Sequence, residues 1–224
     1  WQPFTFSDDG TAEAELVFAG YGISAPELGY DDYAGLDVKG KVVLVGRNLD
    51  KLQATAVEIA EDGGRARFHV CDIRHEEGVK AMVADAVRAH GRIDVLVNNA
   101  GGQYITPLEK ISAKGWQAVI ANNLTGGFLV AREAYTQCMR QHGGAIVNML
   151  ADMWNGMPGM GHSGAARAGM VNLTMTAAAE WGRAGVRVNA VSPGYTLTPA
   201  LKSAIDRGER DVSSLTVNAA LRRL

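Results

Sequence analysis

The chain has 224 residues, 47% of them hydrophobic and 21% charged, with a formal net charge of −2. That length suffices for a globular domain with a sizeable core, and the near-neutral charge leaves no basic footprint for nucleic acid or an anionic membrane surface. No apolar run approaches the roughly 18 residues that a transmembrane helix needs. Trp1 is followed by neither a charged nor a long apolar leader, so no signal peptide is expected. Cys71 and Cys138 make no zinc or redox spacing, and the five histidines form no HxxxH or HxD pattern. Buried thiols in the cytoplasm and no metal centre are the expectation.

Residues 1–45 are rich in Phe, Tyr, Gly and Asp, with alternating runs such as Ala14-Glu15-Leu16-Val17-Phe18 and turn residues at Gly20-Tyr21-Gly22 and Pro26. These are β-signals without helical period. Lys41 to Val45 predicts a strand, and from Gly46 strands and helices alternate. The spacing of Leu52, Ala56 and Ile59 predicts a helix over 49–62, ended by Gly63-Gly64; a strand follows over 66–70, then a helix over 76–90 with Val79, Met82, Val83, Ala86 and Val87 on one side. Ile93 to Val97 is a short apolar run of the kind buried on both faces of a parallel sheet. It stops at Asn98-Asn99-Ala100-Gly101-Gly102, where small residues let backbone approach a ligand. In open α/β sheets the carboxyl end of such a strand is where ligands bind. A long helix is predicted over 114–141, with Gly126-Gly127 inside it marking a close packing approach. A strand over 144–149, a Gly- and Met-rich loop to His162, a helix over 163–183 and a strand over 186–191 come next; Ser192-Pro193-Gly194 breaks the last, and the tail from about 198 reads as helical and polar. The alternation predicts a doubly wound parallel sheet.

The strings GRNLDKLQ, HVCDIR, GRIDVLVNNAG, WQAVIANNLTGGFLV, GGAIVNML, SGAARAGMVNLTMTAAAEWGRAGVRVNAVSPG and LRRL, in that order, resemble a short-chain dehydrogenase/reductase over about residues 42–224. SGAARAG and ADMWNGMPGMGH look closest to its peroxisomal trans-2-enoyl-CoA reductase and citronellol dehydrogenase-like branch. The phrase GYGISAPELGYDDYAGLDVKGKVVLV instead resembles the protease-associated insert of M28 aminopeptidases, without a peptidase's zinc ligands downstream. The expected division is a protease-associated-like β segment over 1–40 and an incomplete reductase domain over 41–224, joined at the shared string GKVVLV. The resemblance implies an α/β, Rossmann-like fold truncated at its first βα unit and at its C-terminal end. The TGxxxGxG turn, its helix and one of the first two strands are missing from the pattern.

The same resemblance assigns a site. Arg47 stands where an acid would accept the ribose hydroxyls of NAD; a guanidinium favours a 2′-phosphate, so NADP is expected ahead of NAD, a surface arginine being the alternative. Asp72 and Ile73 match the adenine-side contact, although Asp72 equally suits a cap on the following turn. Asn99, Ala100 and Gly101 match the adenosine-ribose wall, and Pro193, Gly194 and Thr196 the loop folded against the nicotinamide. The family's Tyr-x-x-x-Lys pair falls on Ser163 and Arg167, its substrate-polarising serine falls near Leu150-Ala151-Asp152, and Asn123 matches its fourth member. Asp152 lies fifteen residues before Arg167, where similar dienoyl-CoA reductases place a tyrosine; it and His162 are the candidates to replace the phenol. Tyr135 and Trp181, on the two long helices, mark either a homo-oligomer interface or intramolecular packing. The functional expectation is NADP-dependent hydride transfer to or from a small molecule, an enoyl-CoA or an alcohol/aldehyde. The alternative is a catalytically inactive, reductase-derived chimera that binds no cofactor.

Overall fold

In the computed structural model, residues 41–193, 199–208 and 211–213 are described, together with the backbone of three short strands before residue 41. These three are β1 (Leu16–Ala19), β2 (Ser24–Ala25) and β3 (Tyr30–Asp31), the last two forming an antiparallel pair of their own. The alternating pattern downstream gives β4 (Lys41–Gly46), α1 (Leu49–Glu61), β5 (Arg65–Val70), α2 (Glu76–His90) and β6 (Val95–Asn98). A long helical rod follows, from α3 (Ala113–Ile120) through α4 (Gly126–Ala134) to α5 (Arg140–His142), with π-helical turns at Ala121–Thr125 and Tyr135–Met139. Then come β7 (Gly144–Met149), α6 (Gly161–Trp181), β8 (Val186–Val191) and α7 (Pro199–Asp206).

The main sheet has six parallel strands in the order β5-β4-β1-β6-β7-β8. Numbered along the chain, these six read 3-2-1-4-5-6, the doubly wound order of dinucleotide-binding sheets. Leu16–Ala19 therefore fills the slot that the sequence pattern leaves vacant. Its backbone pairs with β6 over Leu16↔Val95 to Ala19↔Asn98 and with β4 at Phe18↔Leu44. No helix is described between β1 and β4, so the missing strand is replaced whereas its following helix has no counterpart among the described residues. Strand order reverses between β1 and β6, which puts the topological switch point at their carboxyl ends.

β4 shows why the sheet needs two layers. Val43 and Val45 pack into the cluster made by α2, α4 and α6, while Val42 and Leu44 point the other way, onto Leu52 of α1. Caps fix where helices begin: Asn48 accepts the Lys51 N–H at 3.0 Å, and Ser112 accepts that of Gly115 at 3.0 Å. Gly91 ends α2 at φ 85°, a conformation that costs other residues dearly.

A proline at position 17 tests the replacement strand. Val17→Pro removes a ladder donor from a strand paired on both sides and is expected to cost about 3 kcal/mol in urea denaturation. Unchanged stability would mean that Leu16–Ala19 does not complete the sheet.

Candidate active site

β6 ends in Asn98 and β7 carries Asn148 one residue before its end, and the two side chains meet. Asn98 Nδ2 donates to Asn148 Oδ1 at 2.9 Å and to the Gly127 carbonyl at 3.2 Å. Asn148 Nδ2 donates to Thr174 Oγ1 at 2.9 Å, and that hydroxyl donates to the Met170 carbonyl at 2.7 Å. All three side chains are buried, so the chain of bonds satisfies groups that would otherwise be costly while tying β6, β7, α4 and α6 together. The predicted close approach at Gly126-Gly127 is part of this junction: a Cβ on Gly126 would lie 2.6 Å from Ile73, and one on Gly127 2.5 Å from Met170.

Above the junction, the π-helical turn presents Asn123 inward. Its amide grips the Gly102 backbone twice, accepting the N–H at 2.7 Å and donating to the carbonyl at 3.0 Å. This clamps the loop that leaves β6. Gly101 sits beside the clamp, and a Cβ there would meet Arg167 Nη2 at 2.7 Å and Asn123 Oδ1 at 2.8 Å. Arg167 is buried and donates through Nη1 to the Met149 carbonyl; its Nε has no partner. No carboxylate pairs with it among the described residues, and burial pulls its pKa below the ordinary guanidinium value. It remains a cation, because guanidinium does not deprotonate in proteins.

One turn earlier on α6, the Ser163 hydroxyl is buried without a partner. His162 is fully buried, its ring edge-on to Tyr104 with centroids 4.6 Å apart. Nδ1 accepts the Ser163 N–H at 2.9 Å, so the neutral ring carries its proton on Nε2, which is also unpartnered. Ile73, Asn98, Ala100, Asn123, Arg167 and Met170 line a small cavity beside this cluster.

The other predicted residues are spread more widely. Arg47 is exposed beyond the end of β4. Asp72 lies just past β5, where Arg74 binds its carboxylate through Nε at 2.8 Å, through Nη2 at 2.5 Å and through the backbone N–H at 3.1 Å. The hydrogen bonds from the Arg74 side chain hold Asp72 at a pKa of about 2. Burial and that carboxylate push the Cys71 thiol up. Asn99 is half-buried and Gly101 exposed at the lip, while Asp152 is exposed on the loop after β7. Pro193 is half-buried; Gly194 and Thr196 lie outside the described residues. Tyr135 and Trp181 stack within the chain, 4.4 Å apart and 8° from parallel, which is the intramolecular alternative. The site thus gathers Ile73, Ala100, Gly101, Asn123, Ser163 and Arg167. It also contains Asn98, where paired asparagines are expected to tie down the loop, and Asn148 and Thr174, which no motif marks; a polar residue near the end of an apolar strand is the one visible signal of Asn148.

Comparison with known proteins places this geometry. The short chain dehydrogenase family matches residues 35–208. A peroxisomal 2,4-dienoyl-CoA reductase of Danio rerio is 34% identical over 154 residues, 68% of this chain and 51% of that protein. The solved structure of the citronellol catabolism dehydrogenase AtuB of Pseudomonas aeruginosa PAO1 is 55% identical, with a TM-score of 0.71 over 80% of this chain and 74% of the other. The structure of ElxO with NADP bound superposes with a TM-score of 0.83 at 25% identity, over 95% of this chain and 86% of the other. The chain spans 51% to 64% of the length of the first curated relatives it matches. The likeness of residues 1–45 to a peptidase insert has no support beyond its own phrase, and Leu16–Ala19 within it pairs into the main sheet.

Two consequences are measurable. Asn123→Ala strips both bonds from Gly102 and should lower stability by about 1–3 kcal/mol in urea, with a loss within error speaking against the clamp. Asp72 has a depressed folded-state pKa, so its contribution is complete above the ordinary value of 3.8 and is lost as pH falls toward about 2. Thermal melts across that window should show a shallower acid loss of Tm for Asp72→Asn than for the parent chain.

Proposed function

Since the chain belongs to the short-chain dehydrogenase family, we propose that it is an NADP-dependent oxidoreductase acting on an enoyl-CoA or an alcohol/aldehyde at the carboxyl ends of β6 and β7. The observation that carries this reading is the pair of buried donors without protein partners, Ser163 Oγ and Arg167 Nε, one helical turn apart on α6, with the Arg167 guanidinium beside Gly101. Unpartnered buried donors cost free energy, and ligand oxygens entering beside Gly101 offset that cost.

When bound, a nicotinamide dinucleotide would supply or accept the hydride. Arg167 would hold its ribose side, with the positive charge that a family lysine provides, and Gly101 leaves room for that guanidinium. Arg47 would take the 2′-phosphate, and the Asp72–Arg74 pair and Ile73 would flank the adenosine end. Asn99 and Ala100 would wall the ribose, and Pro193, Gly194 and Thr196 match the family's nicotinamide-side loop by sequence. Among the solved structures similar to this chain is one described as NADP-bound, which supports the choice of cofactor.

Ser163 is a hydrogen-bond donor to a substrate oxygen, not a ready proton source. Arg167 keeps its proton. Asn123 positions the loop that carries Gly101. Asp152, exposed on the loop after β7, is the remaining candidate acid by its place in the sequence. This donor set favours enoyl reduction, which delivers a proton to carbon, over alcohol oxidation, which needs a base at the oxygen. Relatives described as dienoyl-CoA reductases support that order.

The second reading is a reductase-derived scaffold without activity. Serine in the phenol's place and the lack of a TGxxxGxG turn in the sequence favour it. We further read the protein as cytoplasmic, in keeping with its two buried free thiols, and as a homo-oligomer through the rod and α6, where Phe128 and Met175 remain exposed. We also read residues 41–224 as the reductase portion and 1–40 as an added segment, from which Leu16–Ala19 supplies a strand of the sheet.

NADPH consumption, followed by absorbance with straight-chain 2-enoyl-CoAs and with citronellal, tests the first reading. Arg167→Ala should lower turnover about a hundredfold, and Arg47→Asp should shift preference from NADPH toward NADH by tenfold or more. Absence of turnover with every substrate would leave the scaffold reading.

A further inference from the structure

The pairing of arginines in this chain runs opposite to their burial. Arg74, Arg88, Arg92 and Arg132, all with more exposed side chains, each meet a carboxylate. Arg167, 9% exposed and the only buried arginine among the described residues, meets none of the carboxylates described. Its Nη1 donates to a neutral group, the Met149 carbonyl, and its Nε has no partner. The guanidinium stays charged even where burial disfavours the charge. Buried charges are otherwise paired, because an uncompensated one is among the costliest features a fold can carry.

The same residue borders the cavity enclosed by the ends of β6 and β7 with α4 and α6, and it is the only ionisable group on that wall. Asn98 and Asn123 are the other polar side chains there, and the remainder is apolar or glycine. Asn98 has given both N–H groups of its amide to Asn148 and Gly127. Asn123 has given one of its two to the Gly102 carbonyl and keeps a second donor. No carboxylate lines the cavity to repel an anion. A water molecule would satisfy Nε but leave the charge of the guanidinium uncompensated. Apolar walls weaken screening and so strengthen the attraction of a cation for an anion. They also penalise strongly hydrated, doubly charged ions such as sulfate, which lose more on leaving water.

We propose that this cavity is a site for a small, weakly hydrated monovalent anion of the halide class, which neutralises Arg167 in the chain without dinucleotide. The site belongs to the fold. It requires no turnover and stands apart from the oxidoreductase reading, so failure of that reading leaves it in place.

Thermal melts of the full chain without dinucleotide test it, in sodium chloride and in sodium gluconate at matched ionic strength, gluconate being too large to enter. Tm is expected to rise by about 3 °C or more between about 10 mM and about 1 M chloride, beyond any rise in gluconate, as mass action requires of a ligand bound only by the folded state. Sodium bromide should act as chloride does. Arg167→Met keeps a long unbranched side chain and removes the charge, and its Tm should respond equally to chloride and gluconate. An equal response of the parent chain to the two salts overturns the proposal, as does a chloride-specific rise that Arg167→Met retains. Should that variant fail to fold, crystals of the parent chain grown in sodium bromide decide. A bromide anomalous peak in the cavity, within about 3.5 Å of an Arg167 nitrogen, is the expected result. Bromide found only at the surface, or nowhere, overturns the proposal.

Discussion

The bond between Asn98 and Asn148 is the interaction on which the site depends. Two amides buried at the ends of adjacent parallel strands need partners, and each supplies one to the other at 2.9 Å. The remaining demand is met by Gly127 of α4 and Thr174 of α6. The strand ends and the two long helical elements are thereby fixed relative to one another without a metal or a disulfide. Replacing either asparagine by an apolar residue would leave the other amide short of a partner in the interior, a larger penalty than the bond's own net worth.

What stands on that junction is an arrangement of small residues and unpaired donors. Gly126 and Gly127 let the helical rod approach Ile73 and Met170, and Gly101 lets the loop pass Arg167 and Asn123. Asn123 spends its amide on Gly102, so its service to chemistry is to hold the loop. Arg167 and Ser163 keep donor capacity in reserve. A cation with no carboxylate partner among the described residues, one turn from an unbonded hydroxyl, suits an oxygen-rich ligand far better than it suits a closed core.

Local elements were largely legible because their physics is local. The apolar stripe Leu52, Ala56 and Ile59 and the stop at Gly63 place α1 to within a residue, and the run ending at Asn98 places β6. The two π-helical turns inside the rod escape periodicity, since adding one residue to a turn hardly disturbs an apolar stripe. Long-range partners left less trace. Leu16–Ala19 reads as a short β-run of a foreign segment, and nothing in four residues announces that it pairs between β4 and β6. Asp72 was open between adenine contact and turn cap, and its bonds to Arg74 favour the turn. The exposure of Asp152 and the complete burial of His162 depend on how the loops after β6 and β7 fold against each other, which no local pattern encodes.

The central claim is that a sheet completed by Leu16–Ala19, with a serine–arginine pair in place of tyrosine and lysine, still receives a phosphorylated nicotinamide dinucleotide. Titration calorimetry of the full chain with NADPH and with NADH tests it most directly. Micromolar binding of NADPH, with NADH at least tenfold weaker, is the predicted result. No heat of binding from either at millimolar concentration would contradict it and leave a reductase fold that has lost its cofactor.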